Sequence, residues 1–207
     1  MLFLLSGASA SGKKTVSKLV ADQGIINLVW HLESELPATT RQERMANMER
    51  WIDRAIDYER EGRDLLLPAQ SPLGEVLASP RAIELSGIAA SVLDCHDHER
   101  TRRYAQRPFD PRWPMGMDHL CWAAFHRMHA VDPQFEQRVL RDNTASRYEW
   151  ERWTTWQRGD GRWRVELIDN TAQTVSETTG LVTAWVERTR LSGAPLRRDA
   201  RWWIGNS

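Results

Sequence analysis

Apolar residues along the chain fall into short runs separated by amphipathic stretches, the alternation expected when strands and helices take turns. Leu2-Phe3-Leu4-Leu5 is apolar throughout and ends at Ser6-Gly7, the length and composition of a buried strand. A helix is expected from about Gly12 to Asp22, with Gly24 just past its end. Ile25–Leu32 is a second run of strand length. Thr40-Arg41-Gln42-Glu43 then has the spacing of a capping box, and Met45, Met48, Ile52, Ala55 and Ile56 follow at helical spacing up to Gly62. Asp64–Ala69 reads as a third strand ending at Gln70-Ser71-Pro72. Ile88–Cys95 reads as a fourth, with an Arg-rich helix behind it from about Asp97 to Gln106.

Pro108, Pro111 and Pro114 interrupt the periodicity. Asp118 is expected to cap a helix running through Ala130, two more helical stretches should reach about Gln157, and Trp163–Ile168 is a fifth strand. Thr174-Val175-Ser176-Glu177 repeats the capping-box spacing and opens a helix to about Arg190. Residues 191–207 read as a polar, Arg-rich tail, in part disordered. Strands alternating with helices imply parallel strands joined by right-handed crossovers, a three-layer α/β fold. Residues 108–160 would be a helical, Trp-rich insertion before the last strand of a single domain.

Composition narrows this picture. With 207 residues and 41% apolar side chains the chain can bury one sizeable core. Its 28 basic and 28 acidic side chains cancel, which argues against a general nucleic-acid or membrane-surface binder, since both need a large positive field. Cys95 and Cys121 form neither a disulfide framework nor a zinc spacing, so a reducing cytoplasm is the expected location. The opening MLFLLSGAS lacks a basic flank and is too short for a signal peptide, and no later stretch approaches a spanning helix. Within the basic total, 25 residues are Arg and three are Lys: Lys13, Lys14 and Lys18. A GC-rich genome accounts for the Arg excess but not for where the lysines stand.

They stand at a phosphate-binding loop. Gly7-Ala8-Ser9-Ala10-Ser11-Gly12-Lys13 fits G-x-x-x-x-G-K, with an apolar strand before it and a helix after it. Backbone N–H groups must wrap a polyphosphate, glycines permit the curvature, and the helix N-terminus adds favourable charge. Lys13 would reach the phosphates as a compact charge that the planar Arg fork does not replace. One position departs from the pattern. Where Ser or Thr normally holds magnesium stands Lys14, with Thr15 next, so Thr15 or water takes over part of the metal shell, Lys14 replaces some of the metal's charge, or catalysis has been lost.

Taken in order, four pieces resemble a small P-loop kinase of the adenylate-kinase-like kind, nearest in flavour to gluconate kinase and chloramphenicol phosphotransferase. They are the Gly7–Thr15 loop, Trp30-His31-Leu32-Glu33-Ser34-Glu35 after strand two, the Arg-rich helix after strand four, and Ile168-Asp169-Asn170-Thr171 after strand five. The resemblance covers about residues 1–107 and 162–190. It implies a mostly parallel five-stranded sheet in the order 2-3-1-4-5, ATP and Mg²⁺ as cofactors, and Thr15 as the metal contact. It also implies Glu33 as general base, Glu35 as a substrate or metal contact, and Arg100, Arg103 and Arg107, at i, i+3 and i+7, as lid arginines over the phosphates. Asp169 and Thr171 would lie near the adenine. Where many P-loop enzymes place a metal-holding Asp after strand three, this chain has Gln70, which could orient substrate or a metal-bound water, and no acid until Glu75.

Substrate selection is expected from the Thr39–Trp51 helix and the insertion. Arg41 and Arg44 could grip an anionic or polar substrate; a solvated helix face is the alternative. Trp150, Trp153 and Trp156 fall on one helical stripe, with Trp113 and Trp122 earlier, and could stack on a ring or weld the insertion to the sheet. His119, His126 and His129 share a helix without a supporting carboxylate pattern, which favours packing over metal binding. The expected function is an ATP-dependent phosphotransferase, a monomer or homodimer acting on a small-molecule hydroxyl. A nucleotide-binding regulator without catalysis and an RNA 5′-end kinase are the rival readings.

Overall fold

The computed structural model describes residues 1–108, 115–142, 144 and 147–204. Its helices and strands alternate as β1 (Leu2–Ser6), α1 (Lys13–Asp22), β2 (Leu28–Trp30), α2 (Arg41–Arg60), β3 (Asp64–Pro68), α3 (Leu73–Ala78), β4 (Gly87–Asp94), α4 (Asp97–Ala105), α5 (Met117–Val131), α6 (Arg138–Arg141), β5 (Val165–Asp169), α7 (Val175–Ser192) and β6 (Leu196–Arg197). The first five strands are parallel in the order β2-β3-β1-β4-β5, as expected, and β6 adds antiparallel to β4. Register pairs Leu2 with Leu65 on one side and with Ile88 on the other.

Covering both faces explains why the central strands are apolar at most positions. Leu2, Leu4, Leu65 and Leu67 face α2, α3 and the tryptophans; Phe3, Leu5, Leu66 and Leu93 face α1 and α7. Phe3 meets Trp185 of α7 edge-on at 5.5 Å. Both expected capping boxes form: Thr40 Oγ1 accepts from Glu43 N at 3.1 Å, and Thr174 Oγ1 accepts from Glu177 N at 3.2 Å. No helix among the described residues is long and apolar enough to cross a membrane.

Four expectations need correction. Strand two shrinks from Ile25–Leu32 to Leu28–Trp30, because Asn27 takes a left-handed φ of 59° and Ile26 is 80% exposed at the sheet edge. The short buried helix α3 was not foreseen, being too brief to show a helical period. Asp118 lies in the first turn of α5, whose N-cap is Gly116, and among the described residues between α5 and β5 only one-turn α6 and a 3₁₀ turn at Trp150–Arg152 are helical. Trp150, Trp153 and Trp156 therefore share no α-helical stripe; they are buried in the core with Trp163, their rings meeting at centroid distances of 5.3–6.2 Å. Lastly, the tail is ordered at least to Ile204: Leu196 joins the sheet and Trp202 packs edge-on to Trp156 at 6.3 Å. Pro111, Trp113 and Pro114 lie outside the described residues.

Trp153 is the keystone of the tryptophan cluster. It is 0% exposed, and its indole lies so close over Gly74 of α3 that a Cβ there would sit 2.5 Å from the ring. Trp153→Ala should cost about 3–5 kcal/mol in denaturant unfolding. Gly74→Val should also destabilise by pushing the ring away, so unchanged midpoints in both variants would refute this packing.

Candidate active site

The loop after β1 owes its shape to three residues. Gly7 has a φ of +136° and passes so close to β4 that a Cβ would lie 2.4 Å from the Leu93 carbonyl oxygen. Ala10 adopts a left-handed φ of 62°, and Gly12, with φ 94°, caps α1, whose first-turn N–H groups have no intrahelical acceptor. Lys13 Nζ closes the loop from within, donating to the carbonyls of Gly7 at 2.6 Å and Ala8 at 2.8 Å and to Ser11 Oγ at 3.3 Å. Burial lowers its pKa to about 7, and the charges of Arg100 and Arg107 push the same way while Glu33 and Asp94 oppose them.

Other elements hold the loop from outside. Arg100, 1% exposed, donates to Ser9 O at 2.6 Å and Cys95 O at 3.3 Å and pairs with the Asp94 carboxylate at the end of β4. The second Asp94 oxygen takes Arg127 of α5 at 3.0 Å, and Arg127 also binds Asp97. Asn170 Nδ2 donates to Ser11 O at 2.8 Å, and Arg103 grips Asn170 through Oδ1 and the backbone carbonyl, both at 3.0 Å. Beneath the loop, Ser6 gives its one hydroxyl proton to Ser71 O at 2.8 Å, so buried His126 donates from Nδ1 to Ser6 Oγ at 3.3 Å. Burial, reinforced by the charges of Lys13 and Arg44, keeps His126 well below the usual histidine range and neutral.

Across the cavity, Glu33 opens a 3₁₀ turn after β2, with its backbone carbonyl accepting from Trp51 Nε1 at 3.2 Å. Its carboxylate accepts from Gln70 N at 2.7 Å and from Ser71 Oγ. Ser71 Oγ in turn accepts from Arg44 at 2.8 Å, and Arg44 makes a two-pronged pair with buried Glu75 at 2.5 and 2.7 Å. Burial pushes the Glu33 carboxyl upward, while Arg44 and its two hydrogen-bond donors pull the other way without overcoming it. The cavity between Glu33 and the loop measures about 930 Å³, and its walls include Ser9, Gln70, Arg44, Tyr104, Arg107 and Trp122.

The sequence-predicted residues divide by position. Ser9, Glu33, Arg44, Gln70 and Arg107 line this cavity. Lys14 and Thr15 are exposed on the first turn of α1. Arg100 and Arg103 support the loop rather than line the cavity. Glu35 turns back on its own segment, accepting from Leu32 N at 2.8 Å and pairing with His31 at 2.9 Å. Burial alone would raise its pKa, but these two partners outweigh it and lower it. Arg41 reaches Asp142 O at 3.2 Å and stands 3.9 Å from Glu75. Asp169 accepts from Thr171, whose Oγ1 accepts from His96 N at 2.7 Å, so the two close a loop while Asn170 between them reaches Ser11.

Sequence reasoning missed Ser71, Asn170, Asp94, Arg127 and the His126–Ser6 contact. Asn170 stood inside a segment already singled out; the others carried no motif, and apart from the Asp94–Arg100 pair, six residues apart, their partners lie 27–120 residues away.

Known proteins place the fold. No protein-family model matches the chain, and no curated protein matches it significantly in sequence. Among solved structures, an unliganded sugar kinase from Janibacter sp. superposes with a TM-score of 0.60 at 12% identity, over 90% of this chain and 94% of that one. A thymidylate kinase from Candida albicans gives 0.56 at 9% identity, over 91% and 92%. The Mycobacterium tuberculosis APS kinase in complex with AMPPNP and APS gives 0.53 at 18% identity, over 90% and 96%. The chain therefore has the P-loop kinase fold.

The lowered pKa of Lys13 carries a testable sign. Between about pH 7 and the ordinary 10.5, the unfolded chain keeps a proton on Lys13 that the folded chain has shed, so folding stability on this residue's account rises with pH. Thermal melts should show the parent chain gaining on Lys13→Met from about pH 7 to pH 9, a difference that vanishes if the ammonium is not desolvated.

Proposed function

We propose that the protein transfers the γ-phosphoryl group of ATP to a hydroxyl of a small molecule. The observation that carries this reading is the opposition of a phosphate-binding loop and a carboxylate across one cavity. Lys13 and Glu33 are close enough for the charge of Glu33 to raise the pKa of Lys13. The likeness of the fold to kinases of sugars, thymidylate and APS supports the same class of reaction.

The chemistry asked of each group is modest, because positioning and charge neutralisation dominate phosphoryl transfer. The loop N–H groups and Lys13 hold the phosphates. The acceptor oxygen forms a bond to the γ-phosphorus, the bond from that phosphorus to the β,γ-bridging oxygen breaks, and ADP departs with the electron pair. The hydroxyl proton passes to Glu33, whose carboxylate burial has made more basic than usual. Arg107, on the wall of the cavity, offsets charge on the transferred group. Arg100 and Arg103 contribute by holding the loop.

Magnesium fits this site only as an ion carried by the phosphates. Among the described residues no group of three His, Cys, Asp or Glu side chains could hold a metal. Lys14 stands at the usual hydroxyl ligand, leaving Thr15, on the exposed first turn of α1, to offer one contact. Magnesium keeps most of its waters in such settings and would neutralise charge on the β- and γ-oxygens. Lys14 also favours a second reading, a nucleotide-binding protein without transfer, for which nucleotide would bind equally well in chelator and no acceptor would be consumed.

Two substitutions separate the roles. Lys13→Ala should abolish ATP binding in calorimetry. Glu33→Gln should keep ATP affinity within about twofold while lowering turnover roughly 10²- to 10⁴-fold with any acceptor found in a nucleotide-consumption screen. Full turnover in Glu33→Gln would remove Glu33 from the reaction, and intact ATP binding in Lys13→Ala would sink the loop assignment.

A further inference from the structure

Resting on that reading, we infer that Ser71 is a positioning residue for the reaction: it holds the Glu33 carboxylate at the cavity and ties it to the strand that carries the phosphate loop. The sheet order puts Ser71 where this can happen. Glu33 follows β2 and the phosphate loop follows β1, with β3 between them, so the segment leaving β3 runs between the base and the phosphates. Both neighbours hold that strand end. His31 N donates to Leu66 O at 3.2 Å on one side, and Ala69 N donates to Leu5 O at 3.0 Å on the other. Ser71 comes two residues later, just before α3, and is 0% exposed.

With Glu33 ionised, the groups around Ser71 leave one arrangement of protons. Arg44 has donors alone, so Ser71 Oγ accepts from it at 2.8 Å and directs its single proton at Glu33 Oε1. The backbone N–H of Gln70, also a donor only, meets the other oxygen, Oε2, at 2.7 Å. Each carboxylate oxygen therefore has one fixed donor and a further lone pair for the acceptor hydroxyl. Rotating the carboxylate would break both bonds. The Ser71 carbonyl makes the second tie, accepting at 2.8 Å from Ser6 Oγ, and Ser6 directly precedes Gly7 of the loop. A longer contact of 3.5 Å joins Ser9 Oγ of the loop to the Gln70 side-chain oxygen. Behind the clamp, Glu75, 2% exposed, fixes Arg44 with both of its oxygens. Burial pushes the Glu33 carboxyl upward while Arg44, Ser71 and Gln70 pull it back, so loss of the Ser71 hydroxyl should raise it further. A serine that merely filled space would leave that titration alone.

The test titrates Glu33 by NMR on the full chain carrying carboxyl-¹³C glutamate, its signal identified by its loss in Glu33→Gln. Ser71→Ala should move the midpoint up by about half a pH unit or more, with ATP affinity in calorimetry within about twofold of the parent. The melting curve reports whether the variant is folded. The parent chain supplies a check that needs no variant: the Gln70 N–H and Ser71 Cβ resonances should titrate with the Glu33 midpoint. With any acceptor found, kcat in Ser71→Ala should fall roughly fivefold or more while KM for ATP holds, and the acidic limb of the pH profile should follow the NMR midpoint. An unmoved midpoint in folded Ser71→Ala, or Ser71 and Gln70 resonances blind to Glu33, overturns the inference and leaves the phosphotransfer reading standing on Glu33→Gln. Full turnover in Glu33→Gln removes Glu33 from the reaction and this inference with it.

Discussion

A guanidinium withdrawn from water must find partners for its charge and its fork of donors, and the way Arg100 meets that requirement organises the site. Leaving such a group unpaired in the interior costs several kcal/mol, on the order of 3–5 when one member of a buried pair is lost. Arg100 meets it with the Asp94 carboxylate, the Ser9 carbonyl and the Cys95 carbonyl, joining the tip of the phosphate loop to the end of the neighbouring strand. Asp94 has a second oxygen, and Arg127 takes it, which pins α5 to the same point. Loop, central strand and α5 are thereby held by one ionic cluster. Trp122 of α5, on the cavity wall, inherits its position from that cluster and from the His126–Ser6 contact.

The cavity these supports enclose sets two burial effects against each other. Desolvation disfavours charge on Lys13 and on Glu33 alike, lowering one pKa and raising the other. The charge of Glu33 resists the shift of Lys13, and the charge of Arg44 resists that of Glu33. A polyphosphate seated in the loop would supply negative charge beside Lys13 and draw its proton back. A carboxyl kept slightly basic is the better acceptor for a hydroxyl proton. Arg44 moderates the carboxyl through Ser71, and Glu75 holds Arg44 in place, so a chain of four side chains runs from the core to the cavity.

Much of the scaffold was legible because it rests on local rules. β1, β3 and β4 are buried on both faces and so read as predominantly apolar runs; both capping boxes have the spacing that the helix start demands. What could not be read was the partner of each polar group. Arg100, Arg103 and Arg107 are equivalent on a helical wheel, yet the first is buried beneath the loop, the second holds Asn170, and the third lines the cavity. Glu33 and Glu35, two residues apart, differ as much: one accepts from Gln70 and Ser71 across the cavity, the other caps its own turn.

By itself, the sequence determined the alternation of elements, the turn at Gly7 and Gly12, and the lone cluster of lysines at the phosphate loop, because backbone sterics and short-range periodicity are written within a few neighbouring positions. Only the tertiary structure decided which charges remained open. It turned Arg41 and Arg44 toward Glu75, spent Arg100 on Asp94, folded the tail back through Leu196 and Trp202, and gathered tryptophans from separate turns into one core. The reason is physical: a buried polar or aromatic group is satisfied by whatever lies next to it in space, and those neighbours come from distant parts of the chain.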